Sequence, residues 1–293
     1  MCARLRRTLL FTPGGNEKVL GKGLGLEVDG LILDLEDSVS PDKKDSARKA
    51  VTEALKTADF GRKEKVVRIN ALSSEYGADD LTAVLRGGPD TLLVPKVDRA
   101  EDILAYDRQI SEIEAREGFP PGKIGLMALI ESAWGIVNIE SIALASPRLT
   151  GLLFGAADFT RDTHGQITAD RQELVYPMMR ILLAARIAGI DALDTPYFDI
   201  KDPAGLERHS LQAKAMGYDG KALIHPGQVD TVSQIFTPSA EELLLARRII
   251  DTFEKAQQEG KGAAQLDGKL VENVHVAMAE RLLNIARQAG IEF

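Results

Sequence analysis

Eight short apolar segments, separated by stretches long enough for a helix, restrict the fold of this chain more than any other feature. They lie at residues 8–11, 30–36, 65–70, 91–96, 124–131, 149–155, 191–195 and 221–225. Continuous apolar runs of this length are typical of strands covered on both faces, as in a parallel sheet. Eight such strands alternating with helices predict an α/β fold, the (β/α)8 TIM barrel. A doubly wound open sheet is the alternative.

The polar residues that end these segments recur at the spacing of a strand–helix unit. Neighbours in the following series are 27 to 36 positions apart: Glu36, Arg68, Lys96, Glu131, Asp158, Asp194 and His225. Active sites of TIM barrels lie at the C-terminal ends of the strands. We therefore expect these charged side chains to converge on one site.

The pattern changes after His225, and we expect the chain to divide there. Residues 1–235 form the barrel with its active site, and residues 236–293 form a C-terminal helical extension. An extension this short is too small to fold alone with ease, so we expect it to pack on a neighbouring subunit, with packing on the barrel as the alternative. Within the barrel, Pro177 falls inside the helical pattern of residues 170–189 and predicts a kink.

Composition excludes several classes of function. Lys and Arg number 36 against 44 Asp and Glu, a net charge of -8, which argues against a nucleic-acid partner. The single cysteine, Cys2, rules out an internal disulfide and a cysteine zinc site. No segment reaches the length of a membrane helix, and the N-terminus lacks the pattern of a signal peptide. We expect a cytoplasmic protein with no membrane partner.

Two carboxylates are the candidate metal ligands. Glu131 and Asp158 follow the fifth and sixth apolar segments. Carboxylates that converge repel one another unless a cation lies among them, and an all-oxygen set favours Mg²⁺, which commonly takes one or two protein carboxylates. The alternatives are a helix N-terminal acid for Glu131 and a helix N-cap for Asp158.

Residues around these ligands extend the predicted site. Gly155, Ala156 and Ala157 are small enough for their backbone N–H groups to approach an anionic substrate. Glu36 and Asp37 are predicted to hold metal-bound waters, with capping of the helix that follows Pro41 as the alternative.

Arg68 is the candidate for anion recognition. It lies within the apolar segment at residues 65–70, where an unpaired guanidinium is costly to bury. A substrate carboxylate or enolate oxygen suits its rigid fork of donors. A structural ion pair with Glu36 is the alternative.

Taken together in chain order, these motifs resemble a known family. They read RRTLLFTPGGNEK, ILDLEDSVSPDKKDSAR, VVRIN, LLVPKV, ALIESAWGI, GAADF, GYDGKALIHPGQV and DGKLVEN. The pattern is similar to that of the citrate lyase β-subunit-like (HpcH/HpaI aldolase) family, and most to its stand-alone citramalyl-CoA and malyl-CoA lyases. The resemblance covers nearly the whole chain.

The resemblance implies a reaction, a cofactor and an assembly. The reaction is Mg²⁺-dependent cleavage of a 3-hydroxyacyl-CoA thioester into acetyl-CoA and a 2-oxo acid such as pyruvate or glyoxylate, with Mn²⁺ as a substitute metal. The assembly is a homotrimer or hexamer. Carried over by position, the family's metal ligands fall on Glu131 and Asp158, and its substrate arginine falls on Arg68. Its CoA-binding region falls on Arg7, Pro13, Gly14 and Lys18.

The resemblance also implies an acid/base residue from the C-terminal segment of an adjacent subunit. The family usually has Asp there, in a pattern that reads Gly268-Lys269-Leu270-Val271-Glu272 in this chain. Glu272 is therefore the expected proton donor to the thioester enolate, and Arg68 the residue that stabilises the enolate oxygen. We expect the Glu131→Gln and Arg68→Ala variants to lose activity while they stay folded.

Three other functions remain open. A malyl-CoA thioesterase would release free CoA, and a class II 2-oxo-acid aldolase would act without CoA. A citrate lyase β subunit would act on an acyl-carrier partner. The segment after His225 resembles the stand-alone lyases more than a short complex subunit.

Overall fold

The computed structural model describes residues 4–293, so Cys2 lies outside the described part of the chain. Two compact units are present. The first spans residues 6–233, and the second comprises residues 234–293 with Arg4 and Leu5.

The first unit is a closed barrel of eight parallel strands, each paired with the next and the eighth paired with the first. This confirms the predicted (β/α)8 TIM barrel and excludes the open sheet. The strands are β1 (Thr8–Pro13), β2 (Gly30–Asp34), β3 (Glu64–Arg68), β4 (Thr91–Val94), β5 (Gly125–Ile130), β6 (Leu149–Phe154), β7 (Asp191–Asp194) and β8 (Gly220–Leu223).

Helices follow the barrel strands in the chain. They are α1 (Glu17–Leu24), α2 (Lys44–Thr57), α3 (Gly77–Leu85), α4 (Ala100–Glu117), α5 (Ala133–Val137), α6 (Ile139–Ala143), α7 (Ala156–Asp162), α8 (Val175–Ala188), α9 (Pro203–Met216) and α10 (Val229–Phe236). The predicted kink at Pro177 is wrong, because α8 begins at Val175. Proline is tolerated in the first turn, where its missing N–H would have no partner within the helix. No helix of residues 4–293 is long and apolar enough to cross a membrane.

Apolar side chains fill the inside of the barrel. Leu9, Ile32, Val66, Leu93 and Met127 form one buried cluster with Leu129, Leu153, Leu193 and Ala222. The barrel is therefore a packed core rather than a pore, and it holds the strand ends rigidly at its rim.

The second unit contains two helices and a hairpin. Helices α11 (Ala240–Gln258) and α12 (Asn273–Gln288) bury Leu243, Ala246 and Leu283 between them. Strands β9 (Ala264–Leu266) and β10 (Lys269–Val271) form an antiparallel pair joined by Asp267 and Gly268, both with positive φ. Asp-Gly is a strong signal for a two-residue hairpin turn, so this hairpin could have been recognised from the sequence.

One buried histidine makes the barrel sensitive to acid. His209 on α9 lies close to the carbonyl oxygen of Ala169, 3.1 Å from its Nε2, and burial with the nearby positive charge of Arg171 lowers the pKa of His209 to about 4. The unfolded chain takes up this proton near pH 6.5, so the free energy of unfolding falls as pH drops from about 6.5 to about 4, by roughly 1–3 kcal/mol from this residue.

We expect the His209→Gln variant to lose that part of the pH dependence, since glutamine does not titrate. Urea unfolding at a series of pH values measures it. The matched control is His164→Gln, because His164 is exposed. An identical pH profile for the wild type and His209→Gln would contradict the assignment.

Candidate active site

A cavity of about 440 Å³ opens at the carboxyl ends of the barrel strands. Arg68, Glu131 and Asp158, the three residues that the sequence analysis placed at one site, all line it. Apolar side chains, among them Phe11 and Leu129, form much of the remaining wall. The cavity therefore combines a few charged groups with an apolar lining, the usual composition of a small-molecule site.

Glu131 follows β5 and is held by the end of β4. Its Oε1 accepts a hydrogen bond of 2.8 Å from the backbone N–H of Lys96. Lys96 has a φ of 55°, a left-handed conformation that non-glycine residues seldom adopt. Such strained residues concentrate at functional sites, and here the strained backbone aims its N–H at the carboxylate.

The electrostatic surroundings of Glu131 disfavour its charge. Burial raises the pKa of Glu131 to about 8, and the neighbouring carboxylates of Glu36 and Asp158 add to the rise, against the hydrogen bond from Lys96. Carboxylates with strongly raised pKa values in a cleft are candidates for function. A cation bound between Glu131 and Asp158 would relieve this repulsion.

Asp158 lies in the first turn of α7, where the N-cap is Gly155. The alternative interpretation of Asp158 as the N-cap is therefore wrong. Its Oδ1 pairs with Nη2 of Arg161 at 2.7 Å, although Arg161 is largely exposed. An exposed ion pair of this kind is weak, so Asp158 can exchange it for another cation at little cost.

Because Gly155 has no side chain, Glu131 can pack against the start of α7. A Cβ at this position would lie 2.7 Å from the Cβ of Glu131 and 3.1 Å from its Oε2. The backbone N–H of Gly155 donates to Ile130 O, and that of Ala156 donates to Thr195 Oγ1. Our expectation that these N–H groups receive an anionic substrate is therefore wrong for Gly155 and Ala156, although both residues and Ala157 line the cavity.

We expect Gly155→Ala to displace the Glu131 carboxylate, because the added methyl group overlaps it. The free energy of unfolding should fall by about 1–3 kcal/mol, as for other overpacked sites, and turnover should fall about tenfold or more. Thermal unfolding and steady-state kinetics measure the two effects. Gly262→Ala is the control, since nothing lies within 4 Å of a Cβ there. Full activity in Gly155→Ala would show that the contact is unimportant.

Arg68, at the end of β3, is surrounded by carboxylates. Its Nε and Nη2 donate to both oxygens of Asp34 at 2.7 and 2.8 Å, and its Nη1 lies 3.1 Å from Glu36 and 3.1 Å from Asp37. The predicted alternative, an ion pair with Glu36, is thus present. Sequence analysis missed Asp34 as the main partner. The signal in the sequence was that Asp34 and Arg68 lie in successive apolar segments, and the structure pairs them in register on β2 and β3.

These contacts shape the charges around the guanidinium. Burial favours neutral Asp34, but hydrogen bonds and positive charge from Arg68 hold the pKa of Asp34 below its usual value. At Glu36, burial and the negative charge of Asp37 outweigh the positive charge of Arg68, so the pKa of Glu36 is raised. Asp37 differs from both in that its side chain is 67% exposed. Asp37 is therefore the partner that Arg68 can most readily give up to a ligand.

A buried lysine supports the loop that carries Glu36. Lys44 Nζ donates to Leu35 O, Glu36 O and Asn70 Oδ1 at 2.7, 2.7 and 2.8 Å. The sequence carried no signal for this role, because a lysine at the start of an amphipathic helix normally lies in solvent. The helix-capping alternative for Glu36 and Asp37 has no support, since Ser40 precedes the helical turn that begins at Pro41.

Glu131 and Asp158 fit a hard divalent cation that takes only some of its ligands from the protein. Among residues 4–293, no group of three or more His, Cys, Asp or Glu side chains is arranged to hold a metal ion. Glu131 and Asp158 supply two carboxylates to one cavity. This number suits Mg²⁺, which keeps several positions for water and substrate oxygens.

The residues expected to bind CoA are not all on one side of the barrel. Pro13 ends β1 and lines the cavity, Gly14 packs against Asp34 O, and Lys18 is exposed on α1. Arg7 precedes β1, at the opposite end of the barrel, and binds Asp29 through its backbone and side chain. The assignment of Arg7 to the CoA site is therefore not retained.

Two other strand-end residues do not join the site. Asp194 is fully buried between Lys221 and Arg171, at 2.6 and 2.9 Å, and does not line the cavity. His225 accepts a hydrogen bond from Gly227 N at a helical turn. Our expectation that all strand-end charges converge is wrong for these residues, because Asp194 is paired inside the protein and the exposed His225 caps a helical turn.

Glu272 belongs to the second unit. It is the N-cap of α12, where its backbone N–H donates to Nδ1 of His275, and it is exposed. Its expected role as an acid from an adjacent subunit stays a prediction.

Comparison with known proteins supports the family resemblance that the sequence motifs indicated. The citrate lyase subunit beta of Escherichia coli (strain K12) is 41% identical over 288 residues, 98% of this chain and 95% of that protein. A (3S)-malyl-CoA thioesterase of Cereibacter sphaeroides is 39% identical over 94% of this chain and 93% of its own. The solved structure of CitE from Mycobacterium tuberculosis in complex with magnesium, acetoacetate and coenzyme A matches with a TM-score of 0.76 and 31% identity, covering 98% of each chain.

The family model described as HpcH/HpaI aldolase/citrate lyase matches residues 7–226, which include every residue that lines the cavity. The long alignment with citrate lyase subunit beta also shows that the segment after His225 does not distinguish stand-alone lyases from complex subunits. The chain therefore belongs to the HpcH/HpaI aldolase/citrate lyase family.

Proposed function

We propose that this protein is a carbon–carbon lyase that cleaves a 3-hydroxyacyl-CoA of the citramalyl-CoA or malyl-CoA type into acetyl-CoA and a 2-oxo acid, pyruvate or glyoxylate. The observation that carries the proposal is the shared cavity of Arg68, Glu131 and Asp158. The relative from Mycobacterium tuberculosis, crystallised with magnesium, acetoacetate and coenzyme A, supports the choice of metal and of a CoA thioester.

Glu131 and Asp158 would hold Mg²⁺, or Mn²⁺ in its place, with Glu36 and Asp37 orienting bound waters. The metal supplies Lewis-acid polarisation of substrate oxygens when it is bound. Pro13, Gly14 and Lys18 would contact the CoA moiety at the rim of the cavity.

Cleavage passes the hydroxyl proton to water, converts the carbinol carbon into the carbonyl carbon of the 2-oxo acid and leaves the bonding electrons on a thioester enolate. Arg68 donates to the enolate oxygen through the Nη1 edge that Asp37 releases, a kind of contact worth a few kcal/mol per donor. The apolar wall of Phe11, Leu129 and Leu153 limits water near the enolate, so that protonation depends on a placed acid.

Glu272 of a neighbouring copy would be that acid, giving its proton to the enolate carbon. This role requires a homo-oligomer, which we propose to be a trimer or hexamer. Glutamate is one methylene longer than the family's usual aspartate and carries the same functional group.

The reaction is tested by incubating the purified chain with Mg²⁺, acetyl-CoA and a panel of 2-oxo acids. We expect one acid to give a condensed thioester, detected by its mass, and the isolated thioester to be cleaved back to acetyl-CoA. Omission of the metal is the control. No condensation and no cleavage with any acid of the panel would contradict the proposal.

A second candidate is malyl-CoA hydrolysis, favoured by the 39% identity to a malyl-CoA thioesterase over almost the whole chain. The same assay separates the two reactions, because a thioesterase releases free CoA that a thiol reagent detects.

The third candidate, a subunit acting on an acyl carrier, is supported by the similarity to citrate lyase subunit beta. It predicts that the isolated chain is inactive on CoA thioesters.

A further inference from the structure

One hydroxyl group on the cavity wall has a proton that the protein does not use. Thr195 directly follows β7, lines the cavity and is only 4% exposed. Its Oγ1 accepts a hydrogen bond of 3.2 Å from the backbone N–H of Ala156. Among residues 4–293, no group accepts a hydrogen bond from this hydroxyl. The donor of Thr195 is therefore left for a group inside the cavity.

Other buried hydroxyl groups of this chain use their protons within the protein. Thr91 donates to Glu64 Oε1 at 2.5 Å, and Ser210 donates to Leu206 O at 2.7 Å. A buried donor without an acceptor costs free energy, so such donors are uncommon and call for an explanation. The position of Thr195 on the cavity wall supplies one, because a bound ligand can bring the acceptor.

Buried charged groups hold Thr195 in place. Lys221 Nζ donates to Thr195 O and to Asp194 Oδ2, each at 2.6 Å. Arg171 Nη1 donates to the other oxygen of Asp194 at 2.9 Å. The side chains of Lys221, Asp194 and Arg171 are all fully buried. A donor fixed in this way loses little freedom when a ligand binds, which strengthens the contact.

The place of Thr195 in the barrel indicates which part of the substrate it contacts. Strand β7 lies next to β6 and four strands from β3 in the ring of eight. Thr195 is therefore across the cavity from Arg68, the proposed donor to the enolate oxygen. Its partner Ala156 begins α7, the helix that carries Asp158, a proposed metal ligand. The 2-oxo-acid half, which cleavage separates from the enolate, suits this side of the cavity.

We propose that Thr195 is a substrate-binding residue whose hydroxyl donates to an oxygen of the 2-oxo-acid half. The identity of this ligand rests on the reaction proposed above. A site built around a hydrogen bond to a substrate discriminates strongly against ligands that lack the matching group. Thr195 thus contributes to the selection of an oxo acid, beyond the attraction of its charge to the metal.

Binding of pyruvate and of glyoxylate to the purified, Mn²⁺-saturated protein tests this contact without the need for turnover. Calorimetry measures each affinity. Thr195→Val keeps the shape of the side chain but has no hydroxyl, so we expect affinity for the acid that the wild type binds to fall about tenfold or more. Thr195→Ser keeps the hydroxyl and should retain the affinity. In the condensation assay, Thr195→Val should raise KM for the oxo acid more than it lowers kcat.

The affinity for Mn²⁺ separates contact with the substrate from support of α7, because valine also leaves the N–H of Ala156 without its acceptor. We expect Thr195→Val to bind Mn²⁺ as the wild type does. Thr160→Val is the matched control. It removes a buried hydroxyl from α7 that donates to Ala156 O and Ala157 O and does not line the cavity, so oxo-acid affinity should stay unchanged.

Unchanged oxo-acid affinity in Thr195→Val would overturn the proposal and leave the proposed function standing. A parallel loss of Mn²⁺ affinity would also overturn it, by assigning Thr195 a structural role. A wild type that binds neither acid would reject the proposal together with the proposed function. If Thr195→Val fails to fold, Thr195→Ala replaces it, with the same expected loss of affinity and the same outcomes against the proposal.

Discussion

Replacing Glu131 by glutamine is expected to abolish turnover with little effect on folding. Glutamine keeps the acceptor for the N–H of Lys96 and the shape of the side chain, so the end of β5 stays in place. Because burial and neighbouring carboxylates already disfavour the charge of Glu131, its removal does not cost folding energy. The loss of this proposed ligand for Mg²⁺ should lower kcat by at least about 10³-fold, more than one lost hydrogen-bond donor typically costs.

Steady-state kinetics, thermal unfolding and Mn²⁺ titration calorimetry together test this prediction. Metal binding should weaken along with activity, whereas the unfolding temperature should stay equal or rise. Glu112→Gln is the matched control, since Glu112 is exposed on α4. A Glu131→Gln enzyme with near wild-type turnover and metal affinity would refute the placement of a metal at this carboxylate.

Changing Arg68 is expected to affect stability as well as catalysis. The sequence alone led us to expect that Arg68→Ala stays folded, but the structure changes that expectation. Asp34 and Glu36 are 2% and 6% exposed, and both lie against the guanidinium. Removing one partner of a buried ion pair costs about 3–5 kcal/mol, because the other charges remain buried without it. Arg68→Ala should therefore be severely destabilised.

Arg68→Lys separates the two roles. Lysine keeps the positive charge near Asp34 but lacks the planar fork, so we expect a smaller loss of stability and a fall in kcat of about 10²-fold or more. Urea unfolding and kinetics of both variants make the comparison, with Arg86→Lys at an exposed ion pair as the control. If Arg68→Lys keeps full turnover while Arg68→Ala unfolds, Arg68 serves structure alone.

The barrel and three of the residues that line its cavity could be predicted because they depend on local patterns. Strands covered on both faces need continuous apolar segments, and the closed barrel places all strand ends at one rim. Glu131, Asp158 and Arg68 follow from that rule. Lys44 could not be found in this way, because its burial depends on a loop from β2 and an amide from beyond β3 that no local pattern connects.

Whether a charge at a strand end was correctly predicted to face the site depended on the groups that it contacts in the folded protein. Asp194 and Glu131 both lie at the ends of apolar strands, yet Asp194 forms ion pairs with Lys221 and Arg171. Glu131 accepts a backbone N–H hydrogen bond and lies near other carboxylates, whose effect on its pKa exceeds that of the more distant Arg68. The charge of Asp194 is neutralised inside the protein, whereas the carboxylate of Glu131 faces the cavity, where a cation can bind. Arg7 was misplaced for a related reason, since its position at the start of β1 puts it at the far end of the barrel.

The amino-acid sequence by itself determined the alternation of eight strands with helices, and with it which residues stand at the ends of the strands. Only the tertiary structure decided which of those charges are satisfied and which face the cavity. The spacing of apolar residues is a property of the chain, whereas the energy of a buried charge depends on the charges and donors that register and packing bring to it from distant segments.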